Sequence, residues 1–131
     1  MKPFTFLLLL STMMLACQQP GANTNTEVVQ KQLRHVVMFK FKDSTSTADI
    51  QKVEAAFRDL PSKIKEIKSF EWGTNNSPEG LNNGFTHCFF LTFASEADRA
   101  VYLPHPDHKA FGAVLTPHLD KVIVLDYWAE N

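Results

Sequence analysis

Between residues 34 and 128 the apolar positions switch between two periods, and the switches divide the chain into elements. Arg34 to Lys42 (RHVVMFKFK) is dense in β-branched and aromatic side chains, which predicts a strand. Ser44 to Thr47 supply helix N-cap chemistry, and Ile50, Val53, Phe57, Leu60 and Ile64 then recur at spacings of three and four, one apolar stripe on a helix. Pro61 falls within that stripe and is expected to interrupt the helix. Ile67 to Thr74, with Phe70 and Trp72 in alternation, predicts a second strand. Gly73 to Gly84 is rich in Asn, Gly and Pro, the chemistry of a loop. Phe85 to Ala94 (FTHCFFLTFA) predicts a third strand, Ser95 a cap for a helix reaching about Leu103, and Asp107 to Leu119 a second helical stretch after a break at Pro104 and Pro106. Lys121 to Trp128 (KVIVLDYW) predicts the last strand.

The order β-α-β-β-α-β is that of the α+β, ferredoxin-like split βαβ subunit. We expect its first and third strands to be parallel neighbours and its helices to cover one sheet face. The other face should then be polar, yet the strands are apolar on both sides. His35, Val37, Phe39 and Phe41 alternate with Val36 and Met38, and His87, Phe89, Leu91 and Phe93 alternate with Cys88 and Phe90. In the last strand Ile123, Leu125 and Tyr127 alternate with Val122, Val124 and Trp128. A sheet apolar on both faces needs a second cover, and the simplest is a second copy of the chain, so we expect a homodimer through the face bearing Met38, Cys88 and Phe90.

The first sixteen residues have a different pattern. Lys2 precedes an almost unbroken apolar run from Phe4 to Leu15, and Ala16-Cys17 follows. A charged start, a short apolar core and a small residue at the cut are the layout of a secretory signal; a membrane span needs roughly 20 apolar residues. Met14-Leu15-Ala16-Cys17 resembles the bacterial lipobox, which predicts cleavage after Ala16 and lipid attachment at Cys17. Residues 17–32, with Pro20, Gly21, Asn23 and Asn25 and no apolar period, read as a tether, leaving 33–130 as the folded domain. The resulting expectation is an envelope protein held at the membrane by its lipid alone, on the periplasmic side of the outer membrane, since Gln18 stands where an inner-membrane retention signal often places Asp.

Composition narrows the function. Hydrophobic residues make up 44% of the 131 positions, enough to bury a core, and a net charge of −1 offers no broad basic face for nucleic acid. Two cysteines exclude a disulfide scaffold, and Cys88 in an apolar strand reads as a small packing residue. No phosphate loop or nucleophile elbow is present.

The residues with candidate chemistry are histidines and a tyrosine. On the assumed parallel pairing, His35 and His87 lie at one end of the sheet, and the helix break Tyr102-Leu-Pro-His-Pro-Asp-His108 returns to it, bringing Tyr102, His105 and His108 alongside. Imidazole exchanges a proton near neutrality and a phenol can hold a carbonyl oxygen. Phe39, Phe89 and Phe111 would form an apolar lining for a small ligand. The bland reading is that these rings brace the helix break through backbone hydrogen bonds. His105 and His108 also have a metal-compatible i, i+3 spacing, but no HExxH motif or convergent carboxylates accompany them, and we assign neither metal nor cofactor.

HVVMFKFK at 35–42, FEWG at 70–73, SPEGL at 77–81, Thr86-His87 and YLPHPDH at 102–108 together resemble the stress-responsive A/B barrel (Dabb) family, from about Leu33 to Trp128. The resemblance implies a ferredoxin-like subunit that dimerises into an α/β barrel. Within that family a plant enzyme that closes a linear polyketide by aldol condensation carries a similar Tyr-x-x-His-Pro-x-His segment. That likeness implies Tyr102 and His108 as an acid/base pair, with His35 and His87 in the pocket. Two functions follow as expectations: a tethered module that binds a small apolar molecule, or a cyclase- or lyase-like enzyme using Tyr102 and His108.

Overall fold

The computed structural model describes residues 31–130. The leader, Cys17 and nearly all of the tether lie outside the described residues. The elements run β1 (Leu33–Phe41), α1 (Thr47–Arg58), α2 (Leu60–Lys63), β2 (Ser69–Thr74), β3 (His87–Phe93), α3 (Glu96–Tyr102), α4 (Pro106–Leu115) and β4 (Leu119–Trp128). Each helix start has a chemical cause. Ser46 Oγ accepts the Asp49 N–H at 3.1 Å, and Ser95 Oγ accepts the Asp98 N–H at 3.1 Å, satisfying donors that have no partner inside the helix. Pro61 sits in the first turn of α2, where its missing N–H is harmless, so the apolar stripe continues over a break rather than through one helix.

The fold is ferredoxin-like, a four-stranded sheet in the order β2-β3-β1-β4 with helices on one face. Every pairing is antiparallel, including β1 with β3, which corrects the expected parallel neighbours. The connections explain it. The β2–β3 hairpin reverses the chain, whereas the helical crossover from β1 sets β2 parallel to β1. β3 lies between them and is therefore antiparallel to both.

The helix-side face holds the core. Val37, Phe39, Phe89, Leu91 and Phe93 pack against Val53, Phe57, Leu60, Ile64, Phe111 and Leu115. Phe57 stacks on Phe89 with centroids 4.1 Å apart and planes 9° from parallel, which places α1 over β3. α4 lies towards β1, through Phe111 on Phe39 at 6.3 Å. The opposite face is less covered: Val36, Met38, Cys88 and Phe90 are half-buried, and Leu125 is 55% exposed. On β4 both faces are open, with Val122 and Val124 on the helix side 46% and 47% exposed.

Candidate functional site

The break between α3 and α4 builds the site. Tyr102 is the last residue of α3; Pro106 opens α4, and His105 caps it, its Nδ1 accepting the Asp107 N–H at 3.2 Å. His108 thus falls in the first turn of α4, facing back toward Tyr102, and their ring centroids lie 4.3 Å apart. Tyr102 in turn meets His35 edge-on at 5.7 Å. These three side chains border a cavity of about 210 Å³ between the sheet and α4, walled by Val37, Phe39, Phe111, Leu115, Val122 and Val124.

Hydrogen bonds set which atoms are free. His108 Nδ1 lies 2.9 Å from the Leu103 carbonyl oxygen, which can only accept. The neutral ring therefore carries its proton on Nδ1 and has a lone pair at Nε2. His35 is arranged in the same way: Nδ1 donates to Asp126 Oδ1 at 2.8 Å, leaving Nε2 unbonded among the described residues. Arg99 Nη1 reaches the same Asp126 oxygen at 3.1 Å. Burial works to raise the Asp126 carboxyl, but the hydrogen bonds from His35 and Arg99 outweigh it and hold the group below the usual carboxylate range. Tyr102 is 1% exposed, and that burial pushes its phenol well above the ordinary value, so it stays a proton-bearing donor.

Three of the expected pocket residues lie elsewhere. His87 shares the helix-side face with His35, but it pairs with Phe39 whereas His35 pairs with Leu91, so antiparallel pairing puts the two at opposite ends of the sheet. Both His87 ring nitrogens are engaged, Nε2 with Glu54 Oε1 at 2.9 Å and Nδ1 with Thr86 Oγ1 at 2.8 Å. His105 is used as a cap and is not part of the cavity wall. Phe89 lies fully buried beneath Phe57, in the core behind the cavity. Phe39 and Phe111 do line it. Conversely, the sequence reading passed over Asp126 and Arg99; the signal available was a lone carboxylate interrupting the apolar run of the last strand. Among the described residues no three His, Cys, Asp or Glu side chains converge as metal ligands would.

A larger hollow of about 660 Å³ lies on the other sheet face, under the loop at 75–86, floored by Met38, Cys88 and Ile123. It is a trough along the face left without helices, and it holds none of the Tyr102, His108 and His35 group. The Cys88 thiol on its floor is raised by burial and by the Glu71 carboxylate, which makes it a poor thiolate.

Fold and site together define a small ferredoxin-like protein with a histidine- and tyrosine-bordered cavity under its helices. The stress responsive A/B barrel domain matches residues 33–129, and the chain belongs to that family. Among known proteins it is similar to a stress-response A/B barrel domain-containing protein of Arabidopsis thaliana, 38% identical over 95 residues that make up 72% of this chain and 87% of the relative. It is also similar to olivetolic acid cyclase of Cannabis sativa, 28% identical over 95 residues, 72% of this chain and 94% of the enzyme. Among solved structures it resembles a hydroxynitrile lyase from Passiflora edulis, with TM-score 0.72 and 30% identity over 77% of this chain and 95% of that one. A dimeric protein of unknown function and ferredoxin-like fold from Bacteroides fragilis matches with TM-score 0.63 and 26% identity, over 75% of this chain and 96% of that one.

Proposed function

We propose that the cavity is an active site that binds a small, mainly apolar carbonyl compound and catalyses a lyase- or cyclase-type reaction on it. The observation that carries this reading is the 4.3 Å ring contact of Tyr102, whose burial keeps its phenol a donor, with a His108 ring whose backbone partner leaves Nε2 as a base. His108 Nε2 would take the proton whose loss begins bond making or breaking beside the carbonyl. The Tyr102 O–H would donate to the carbonyl oxygen as negative charge grows there. His35, held by Asp126, supplies a second polar edge to orient the substrate oxygen. The valine and phenylalanine walls exclude water and select an apolar body. The likeness to a cyclase in sequence and to a lyase in structure supports the same reading.

The test is turnover of a panel of small aldehydes, cyanohydrins and β-polyketones by the domain and by His108→Ala. The variant should lose at least about a hundredfold in rate while staying folded. Binding by the wild type with no turnover of any class would reduce the site to a binding module. A His108→Ala variant that lowers the melting temperature and alters nothing else would leave only a brace for the helix break.

We further propose that the domain is a homodimer through the face bearing Met38, Cys88 and Phe90, and that Cys17 carries a lipid holding it in a bacterial envelope membrane, on the periplasmic side. The half-buried apolar face and the dimeric state of the Bacteroides protein support the first. The charged-apolar-small leader ending in Ala16-Cys17 supports the second. Labelled fatty acid should enter the wild-type chain in a bacterial host and fail to enter Cys17→Ser; a wild type that takes up no label sinks the anchor.

A further inference from the structure

Three polar groups border the cavity, and the hydrogen bonds around it decide what each can do. Among the described residues no fully buried side-chain nitrogen or oxygen lacks a partner, and neither the Tyr102 hydroxyl nor His35 Nε2 is hydrogen-bonded there. Both atoms therefore reach open space, and the cavity is the space that both rings border. Tyr102 brings an O–H. His108 and His35 each bring a ring nitrogen with a lone pair, because the Nδ1 of each donates to an oxygen. A carbonyl compound can set its oxygen on Tyr102 and an acidic C–H on His108. That leaves one acceptor, His35 Nε2, unmatched, and a hydroxyl on the substrate would match it.

His35 keeps that acceptor only while its ring is held. Contacts with Phe93 at 6.0 Å and Tyr102 at 5.7 Å, both edge-on, clamp the ring, and Asp126, directly across from it on β4, accepts the Nδ1–H. The Asp126 side chain is 31% exposed, so the carboxylate has room to turn toward solvent. Arg99 supplies the restraint. It stands three residues before Tyr102 on α3, so one helix face presents Tyr102 to the cavity and Arg99 to Asp126. Its Nη1 donates to the same Oδ1 at 3.1 Å, a charge-assisted bond that pins the carboxylate between helix and sheet.

We infer that Arg99 is a positioning residue that fixes the His35 tautomer through Asp126, and that the cavity thereby selects carbonyl compounds carrying a hydroxyl beside the carbonyl. This rests on the reading of the cavity as a site for a small carbonyl compound, and adds the donor that the compound must bring. The substrate hydroxyl donates to His35 Nε2. Its methyl ether has no proton to give and sets a bare oxygen against the lone pair, so the hydrogen bond is lost. Were Asp126 released, the imidazole proton could move to Nε2, and the distinction between hydroxyl and ether would go with it.

The test is binding of phenacyl alcohol, an aromatic α-hydroxyketone, and of its methyl ether to the full chain. Nitrogen-15 NMR of the histidine rings accompanies it, at a pH of about 8, above the ordinary imidazole range. The expected result is a His35 ring with its proton on Nδ1, an Nε2 signal that moves when phenacyl alcohol is added, and binding of the alcohol about tenfold or more tighter than of the ether. Arg99→Leu should bring that ratio close to one and populate the second His35 tautomer. Arg99→Lys, which can still donate to Asp126, should recover most of it. Equal binding of the two compounds by the wild type, binding of neither, or a wild-type His35 with its proton on Nε2 overturns the inference. An Arg99→Leu variant that keeps the ratio and the tautomer while melting lower reduces Arg99 to a structural ion pair. A wild type that shows the preference yet turns over no carbonyl compound upholds the hydroxyl acceptor and removes the proposed chemistry; turnover without the preference does the reverse.

Discussion

Asp126 shows how a single carboxylate links chemistry to stability. Its pKa is lower in the folded chain than in the unfolded one, because His35 and Arg99 hydrogen-bond the ionised form more strongly than burial disfavours it. The stability it adds is therefore full above the unfolded carboxylate value of about 3.9 and is lost as pH falls through the folded value. Asp126→Asn should be less stable than wild type near neutrality, and the gap in melting temperature should narrow as the pH drops below about 4. A gap that widens on acidification would contradict the assignment. Tyr102→Phe is the complementary change. It keeps the ring that packs on His35 and His108 but removes the donor. On the proposed chemistry turnover should fall by about a hundredfold or more, as for loss of an oxyanion donor, while the melting temperature moves little. A variant that keeps its rate would remove Tyr102 from the mechanism.

Among the elements, the crossover from β1 to β2 and the loop after β2 show where local sequence suffices. Ser46→Ala removes one N-cap acceptor from α1 and should cost about 1 kcal/mol in a denaturant titration. In the loop, Gly84 adopts φ +82°, and an added Cβ would come within 2.7 Å of Lys40 Cε. The left-handed backbone favours glycine there, and a Cβ would also force the lysine stem to shift. Gly84→Ala should destabilise by about 1 kcal/mol or more, against the small gain that the same change gives at an unstrained position. Phe57 carries the greater load. It stacks on Phe89, meets Phe111 edge-on at 4.7 Å and is 1% exposed, so Phe57→Ala should cost about 3–5 kcal/mol and loosen the floor beneath the cavity.

For the whole molecule, the proposed dimer turns on the sheet face that no helix covers among the described residues. Phe90 lies at its centre, with the Arg34 guanidinium 5.3 Å above its ring. Phe90→Lys would place a like charge against Arg34 and, if two copies meet at this face, would do so twice. Sedimentation should then show a folded monomer where the wild type is a dimer. An unchanged dimer would move the interface elsewhere.

The sequence alone determined the elements, because the apolar period is a local property: each predicted strand and helix overlaps an observed one, with a cap inside the Ser44–Thr47 candidates, the cap at Ser95 and the interruption at Pro61. It also showed that the sheet is apolar on both faces and that Tyr102 and His108 flank a helix break, since the five residues between them, two of them prolines, leave little freedom. Strand direction is different. Whether β1 runs with or against β3 depends on how a hairpin and a crossover share one sheet, and no local pattern records it. That one long-range fact put His87 at the far end with Glu54, while the separate pairing of β1 with β4 brought Asp126, 91 positions away in sequence, onto His35. A hydrogen bond between distant strands is set by register, and register exists only once the sheet has formed.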